Sequence, residues 1–297
     1  MTTYRDMSVA MPSQDSMRKI IFLITGLAYG GAEMQLLFLA KRLRQRGWET
    51  HVVSMLPPQA IGDDLVAAGV TVSSLHMRRG IPDPRAILYL RKILQQVRPQ
   101  ILHSHMVHAN LLARIVRPLS PIPILICTAQ NIDEGGWQRE MAYRLTDPFC
   151  DLTTQVSNAG LERYIHVGAV PRRKAMFIPN GVDSTLFRPD RQSRETLRKA
   201  LGIEDSTFVW LAVGRFEAQK DYPTMISAFS KLHKLHPTAQ LLIAGQGVLL
   251  ADMQQFAKEL NISDSIRFIG LRKDISALLN TADAFVLSSA WEGLPMV

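Results

Sequence analysis

Arg215 and Lys220 stand close together in Gly214-Arg-Phe-Glu-Ala-Gln-Lys220, and their surroundings suit them to hold an anion. Before them lies Phe208–Val213, a short apolar run rich in aromatic and β-branched residues, which predicts a buried strand. After them a helical pattern opens at Tyr222-Pro223, with Met225, Ile226, Phe229 and Leu232 on one stripe. The two cations therefore occupy a strand-to-helix crossover. Open α/β sheets bind ligands at that end of their strands. Two cations beside a helix N-terminus suit an anion, and phosphate is the usual one. Without their neighbours, two such cations would more often be solvated surface charges.

Other motifs narrow the chemistry by what they lack. Gly26-Leu-Ala-Tyr-Gly30-Gly31-Ala-Glu33 follows an expected first strand, Lys19–Thr25. A dinucleotide fingerprint needs G-x-G-x-x-G there and an acidic residue ending the second strand. The spacing is different, and the second strand ends in Val53-Ser54-Met55, which excludes a nicotinamide dehydrogenase. No G-x-x-x-x-G-K-[ST] occurs, which excludes a P-loop NTPase. His103-Ser-His105-Met-Val-His108 has no carboxylate or cysteine nearby to complete a metal set, so no metal is expected. One of His103 and His105 is expected to line a cleft and the other to be a hydrogen-bonded core residue.

Three further motifs frame the cationic stretch. Ile178-Pro-Asn-Gly-Val-Asp183, with Phe187-Arg-Pro189, precedes it, and Ala290-Trp-Glu292-Gly-Leu-Pro295 follows it. In this order and spacing, across residues 20 to 297, they resemble the retaining glycosyltransferases of family 4, which have the GT-B fold. The resemblance implies two Rossmann-like, doubly wound parallel-sheet domains facing a cleft. It implies transfer of a sugar from a nucleotide diphosphate sugar, with retention at the anomeric carbon and no cofactor. Arg215 and Lys220 would neutralise the leaving diphosphate and Glu292 would lie by the sugar, completing the catalytic set. Gly30, Gly31, His105, Gln130, Gly214, Gly245, Gly247 and Leu271 would surround the donor, although the glycines read equally as plain turns. Family members commonly carry a histidine where Gln130 stands; an amide donates a hydrogen bond but does not titrate near neutrality. The second glutamate of the family's paired motif would fall beyond Val297. A sugar-nucleotide epimerase on the same fold, or a truncated remnant without activity, are the alternatives.

Composition agrees with a globular enzyme: 47% hydrophobic and 20% charged residues, with a net charge of +8. The basic balance favours a lipid-linked or sugar acceptor and peripheral contact at the inner face of a membrane. No Lys/Arg block or recognisable motif points to nucleic acid. Cys127 and Cys150 alone give no disulfide framework, which fits the cytoplasm. Arg18-Lys19 and the apolar run after them imitate a signal peptide, but the periodic helix that follows predicts a strand instead. Strands and helices alternate throughout. The expected units are a disordered leader at 1–17, an N-terminal acceptor-side domain at 18–178, a hinge at 179–184 and a nucleotide-sugar domain at 185–297. The last has only four expected strands and reads as incomplete.

Overall fold

The computed structural model describes residues 18–297, so the expected leader lies outside the described residues. The first half runs β1 (Lys19–Ile24), α1 (Gly31–Gln45), β2 (Glu49–Ser54), α2 (Ala60–Ala67), β3 (Thr71–Ser74), α3 (Arg85–Val97) and β4 (Ile101–His105). It continues α4 (Val107–Val116), β5 (Ile124–Ala129), α5 (Trp137–Thr146), β6 (Leu152–Gln155), α6 (Asn158–His166) and β7 (Ala175–Phe177). All seven strands pair in parallel in the order β3-β2-β1-β4-β5-β6-β7. In β1, Ile21 and Leu23 enter one core while Ile20, Phe22 and Ile24 enter another on the opposite face. A strand covered on both faces has no reason to alternate with polar residues, and Lys19–Ile24 does not.

The second half runs α7 (Arg191–Ala200), β8 (Val209–Val213), α8 (Tyr222–Leu235), β9 (Gln240–Ala244), α9 (Leu250–Glu259), β10 (Ile266–Gly270), α10 (Ile275–Thr281) and β11 (Ala284–Phe285). Its four strands are parallel in the order β10-β9-β8-β11. Between β7 and α7 the segment 178–190 holds no helix or strand. Arg42 of α1 bonds Asp183 there at 3.3 Å, and the Gly181 N–H donates to Gln35 at 3.2 Å.

Two elements differ from expectation. Residues 191–200 show no apolar period from which to expect a helix, but they form α7. Its Asp190 cap accepts from the Ser193 N–H at 3.1 Å, and Leu197 is its one large apolar residue in the core beneath. What docks it is arginine. Arg194 donates to the carbonyls of Asn280, Thr281 and Ala282, and buried Arg198 to those of Thr281 and Glu204. All but that of Glu204 are orphan carbonyls at the end of α10, which cations satisfy well. The apolar run Ala284-Phe-Val-Leu-Ser288 predicts a last strand over its whole length, but only Ala284–Phe285 forms one, because Ser288 instead donates to the carbonyls of Lys220 and Asp221 at 2.7 and 2.9 Å.

Candidate active site

In each sheet the strand order reverses once, between β1 and β4 and between β8 and β11. Loops leaving two such strands diverge to opposite faces and leave a crevice at their carboxyl ends. The second crevice brings together two residues that are 72 positions apart in sequence. Lys220, on the loop after β8, meets Glu292, on the loop after β11, with Nζ 2.5 Å from Oε1. Only 15% and 19% of the two side chains are exposed. Two hydrogen bonds hold the two loops in register. Ala290 N–H donates to the Gln219 carbonyl at 2.9 Å, and the Gln219 amide donates to the Trp291 carbonyl at 2.8 Å. Arg215 lies on the same loop but is half exposed and pairs with Glu217 at 3.3 Å.

The glycines of this crevice serve main-chain packing. A Cβ on Gly245 would stand 1.9 Å from the Gly214 carbonyl oxygen, and one on Gly247 would stand 2.5 Å from that of Phe216. That closeness lets Phe216 N–H donate to the Gln246 carbonyl at 2.9 Å and Gly245 N–H to that of Gly270 at 2.8 Å. A Cβ on Gly214 would crowd Lys220 and Tyr222, whose hydroxyl donates to the Gly214 carbonyl at 2.9 Å. Leu271 follows in the exposed loop after β10.

The first crevice faces the same loop. After Glu292 the chain runs between the two sheets. A Cβ on Gly293 would stand 2.3 Å from the Gln130 carbonyl oxygen, and Met296 lies against Gly31. Asn180 donates to the Leu294 carbonyl at 2.8 Å. Gly30 caps α1 in extended backbone, and a Cβ there would strike the Glu33 carboxylate. Gln130, half-buried at the end of β5, contacts His105 Nδ1 through its amide nitrogen at 3.3 Å. His105 is itself buried, so it backs Gln130 instead of lining the crevice. Burial, aided by the adjacent His103, holds its imidazole well below the ordinary range. Burial likewise holds His103 down to about 4. Both rings are neutral at pH 7, and His103 Nε2 lies 2.7 Å from the Thr128 hydroxyl. No group of three or more His, Cys, Asp or Glu among the described residues could hold a metal ion.

Two carboxylates here had no assigned role in the sequence. Glu134 accepts from the Gln130 N–H at 3.0 Å and from the hydroxyls of Tyr143 and Tyr164 at 2.9 and 3.1 Å. Glu33 is buried in the first turn of α1, where the helix dipole favours an anion. Its signal was an acid two residues after a glycine pair. Burial nevertheless lifts its carboxyl above the usual range, offset in part by its own backbone N–H and by Arg215, with Glu217 adding to the rise. The folded protein thus holds this proton more tightly than the unfolded chain does. Glu33 therefore detracts from stability progressively as pH rises from the ordinary value of 4.5 through its raised one, and costs nothing below both. Glu33→Gln is expected to raise the thermal midpoint at pH 8 and leave it unchanged near pH 4. Equal shifts at both pH values would assign the effect to packing.

Residues 29–186, more than half of the chain, match the profile of Glycosyltransferase Family 4. The chain belongs to that family. Residues 193–297 match the profile Glycosyl transferases group 1, so the two matched profiles divide near the segment linking the sheets. One relative is the UDP-Gal:alpha-D-GlcNAc-diphosphoundecaprenol alpha-1,3-galactosyltransferase of Escherichia coli, 29% identical over 73% of this chain. The match spans 58% of that relative's length. The putative glycosyltransferase EpsF of Bacillus subtilis is 21% identical over 95% of this chain and 76% of its own. Among solved structures, Anabaena HepE in complex with UDP and glucose superposes with a TM-score of 0.79 at 19% identity, over 92% of this chain and 74% of that one. WaaG, a glycosyltransferase involved in lipopolysaccharide biosynthesis, gives 0.68 at 15% identity, over 92% and 75%. This family-4 chain therefore has the GT-B fold, as its motifs imply.

Proposed function

We propose that this protein transfers a sugar from a nucleotide diphosphate sugar to a sugar or lipid-linked acceptor, with retention, in assembly of a cell-surface glycan or glycolipid. The observation that carries the reading is the meeting of Lys220 and Glu292 at the switch point of the second sheet, on a loop that abuts Gln130 of the first. Lys220 and Arg215 lie where a donor diphosphate would be bound and neutralise the charge that develops as it leaves. Their charge makes a metal unnecessary to the scheme. Glu292 then accepts from the sugar hydroxyls once Lys220 turns to phosphate. Gln130 orients the sugar without titrating, so the leaving diphosphate itself takes the acceptor proton. The galactosyltransferase relative is named for a UDP-sugar donor and a diphosphoundecaprenol-linked acceptor, which supports donor and acceptor classes of that kind. Residues 179–184 serve as the hinge on which the two sheets approach. No described helix is long and apolar enough to cross a membrane, and we place the protein in the cytoplasm at the inner membrane face.

Incubation with a UDP-sugar and a diphosphate-linked lipid sugar tests this. The expected product has the donor's anomeric configuration by NMR and forms only with acceptor present. An inverted linkage would remove the retaining mechanism, and donor turnover without acceptor would favour an epimerase.

A further inference from the structure

Glu33 is a buried carboxylate to which the transfer scheme gives no task. It is the third residue of α1, where a glutamate can reach back toward the unpaired N–H groups of the first turn. The cap, Gly30, has no side chain to serve them. Glu33 does reach back: its carboxylate accepts from its own backbone N–H, and a Cβ on Gly30 would strike its Oε2. The residue is only 8% exposed, and among the described residues no other side chain hydrogen-bonds to it. The place it fills belongs to the crevice. Helix α1 follows β1, one of the two strands between which the first sheet reverses, so its first turn lies at their carboxyl ends. Arg215 and Glu217, on the loop of the second sheet that carries Lys220, are the charges that act on Glu33. Of the elements packed against α1, α2 brings Asp63 and Asp64, and β2 brings Glu49 and His51. Asp63 is exposed, Asp64 lies with Tyr29 and Lys273, Glu49 with Lys19, and His51 with Ser73. Asp183 of the linking segment is held by Arg42.

We infer that the Glu33 carboxylate stands in for a donor phosphate at the first turn of α1, and that a nucleotide diphosphate sugar enters by displacing it while Glu33 takes a proton from solvent. The inference rests on the transfer reading in setting the diphosphate between Arg215 and this turn. Carboxylate and phosphate oxygens compete there for the same partners, the N–H groups of a helix start and an arginine. Once phosphate has both, the two groups that favoured the Glu33 anion, its own N–H and Arg215, are taken. Burial and Glu217 still oppose that anion, and the diphosphate adds its own negative charge. A buried carboxylate left in that state is neutralised. A glutamate that served only as a helix cap would be a favoured anion, whereas burial already lifts this carboxyl above its ordinary range. The bound protein thus holds the proton more tightly than the free one. Donor affinity therefore falls as pH rises between the two values of the carboxyl, and is level below both and above both.

The test is calorimetry of the full chain with UDP-glucose, repeated in buffers of different ionisation enthalpy, which counts the protons taken up on binding and uses no turnover. The diphosphate of UDP-glucose has no proton to gain or lose near neutrality, so any uptake belongs to the protein. The parent is expected to take up about 0.3 to 1 proton at pH 7, and its affinity to fall about three- to tenfold per unit between pH 6 and pH 8. Glu33→Gln keeps the shape of the side chain but does not titrate. It should bind UDP-glucose about tenfold tighter than the parent at pH 8, the gap should close toward pH 5, and the uptake should vanish. Parent binding without proton uptake, or uptake that persists in Glu33→Gln, would overturn the inference and leave the donor site in place. Weaker binding by Glu33→Gln at pH 8 would overturn it too, by showing that the carboxylate holds the donor instead of yielding to it. The parent's uptake is read without any variant, so the test stands even if Glu33→Gln folds poorly. Failure of the parent to bind either UDP-glucose or GDP-mannose would remove the donor site itself, and this inference with it.

Discussion

Lys220→Ala is expected to lower turnover about 100-fold or more, on the order of 3 kcal/mol of transition-state stabilisation. The ammonium lies at the switch point where a diphosphate would shed its charge, and Arg215, half exposed and paired with Glu217, is the weaker partner for that work. The same substitution has a second consequence, because Glu292 lies 2.5 Å from Lys220 in a partly closed crevice. Removing the cation leaves that carboxylate without its counter-charge, which destabilises a buried pair more than losing both members does. A double-mutant cycle separates the two effects. Lys220→Ala/Glu292→Gln should regain the thermal midpoint lost in Lys220→Ala and should not regain turnover. Nucleoside diphosphate affinity, read by calorimetry, should fall in both. Near-normal turnover in folded Lys220→Ala would end the assignment of Lys220 to the diphosphate.

The α/β alternation was legible because buried parallel strands write themselves as unbroken apolar runs. Lys19–Ile24 and Val209–Val213 each end within one residue of the expected Lys19–Thr25 and Phe208–Val213. Helix α7 escaped because its docking force is arginine on carbonyl oxygen, which leaves no apolar stripe to read. The Asp190 cap was the available signal. Lys220 and Glu292 were each singled out by resemblance, but not as an ion pair. That pairing depends on β8 and β11 being neighbours across 72 residues, and strand order is a property of the whole sheet. Gly245 and Gly247 could be seen to need small side chains. Only the structure shows that the crowding atoms are the main chain of Gly214 and Phe216. His105 was misplaced for a related reason. In parallel strands covered on both faces, a polar residue near the carboxyl end can point to core or crevice, and here the core has it.

Glu134→Leu is expected to destabilise the first sheet by about 2–4 kcal/mol, the cost of stranding buried donors. Glu134 is half-buried, with its carboxyl group turned onto Tyr143 and Tyr164, both nearly fully buried. Those hydroxyls and the Gln130 N–H have this carboxylate as acceptor, and the chain of bonds runs further. Asn110 donates to the Tyr143 hydroxyl at 2.7 Å and to the Thr128 carbonyl at 2.9 Å, and accepts from Ser104 at 2.7 Å. The Arg114 guanidinium lies 4.5 Å over the Tyr143 ring, so the cation and the carboxylate bracket one phenol. Burial lifts the Glu134 carboxyl above its ordinary range, and the three donors pull it back. Through the Gln130 N–H this network fixes the turn whose carbonyl oxygen meets Gly293, so Glu134 is a positioning residue. Glu134→Gln keeps an acceptor oxygen and should lose less stability than Glu134→Leu. In both variants amide hydrogen exchange at Gln130 and Asn131 should quicken, and kcat should fall more than nucleoside diphosphate affinity does. An unchanged unfolding midpoint in Glu134→Leu, with unaltered exchange at Gln130, would show that the turn is held by other contacts.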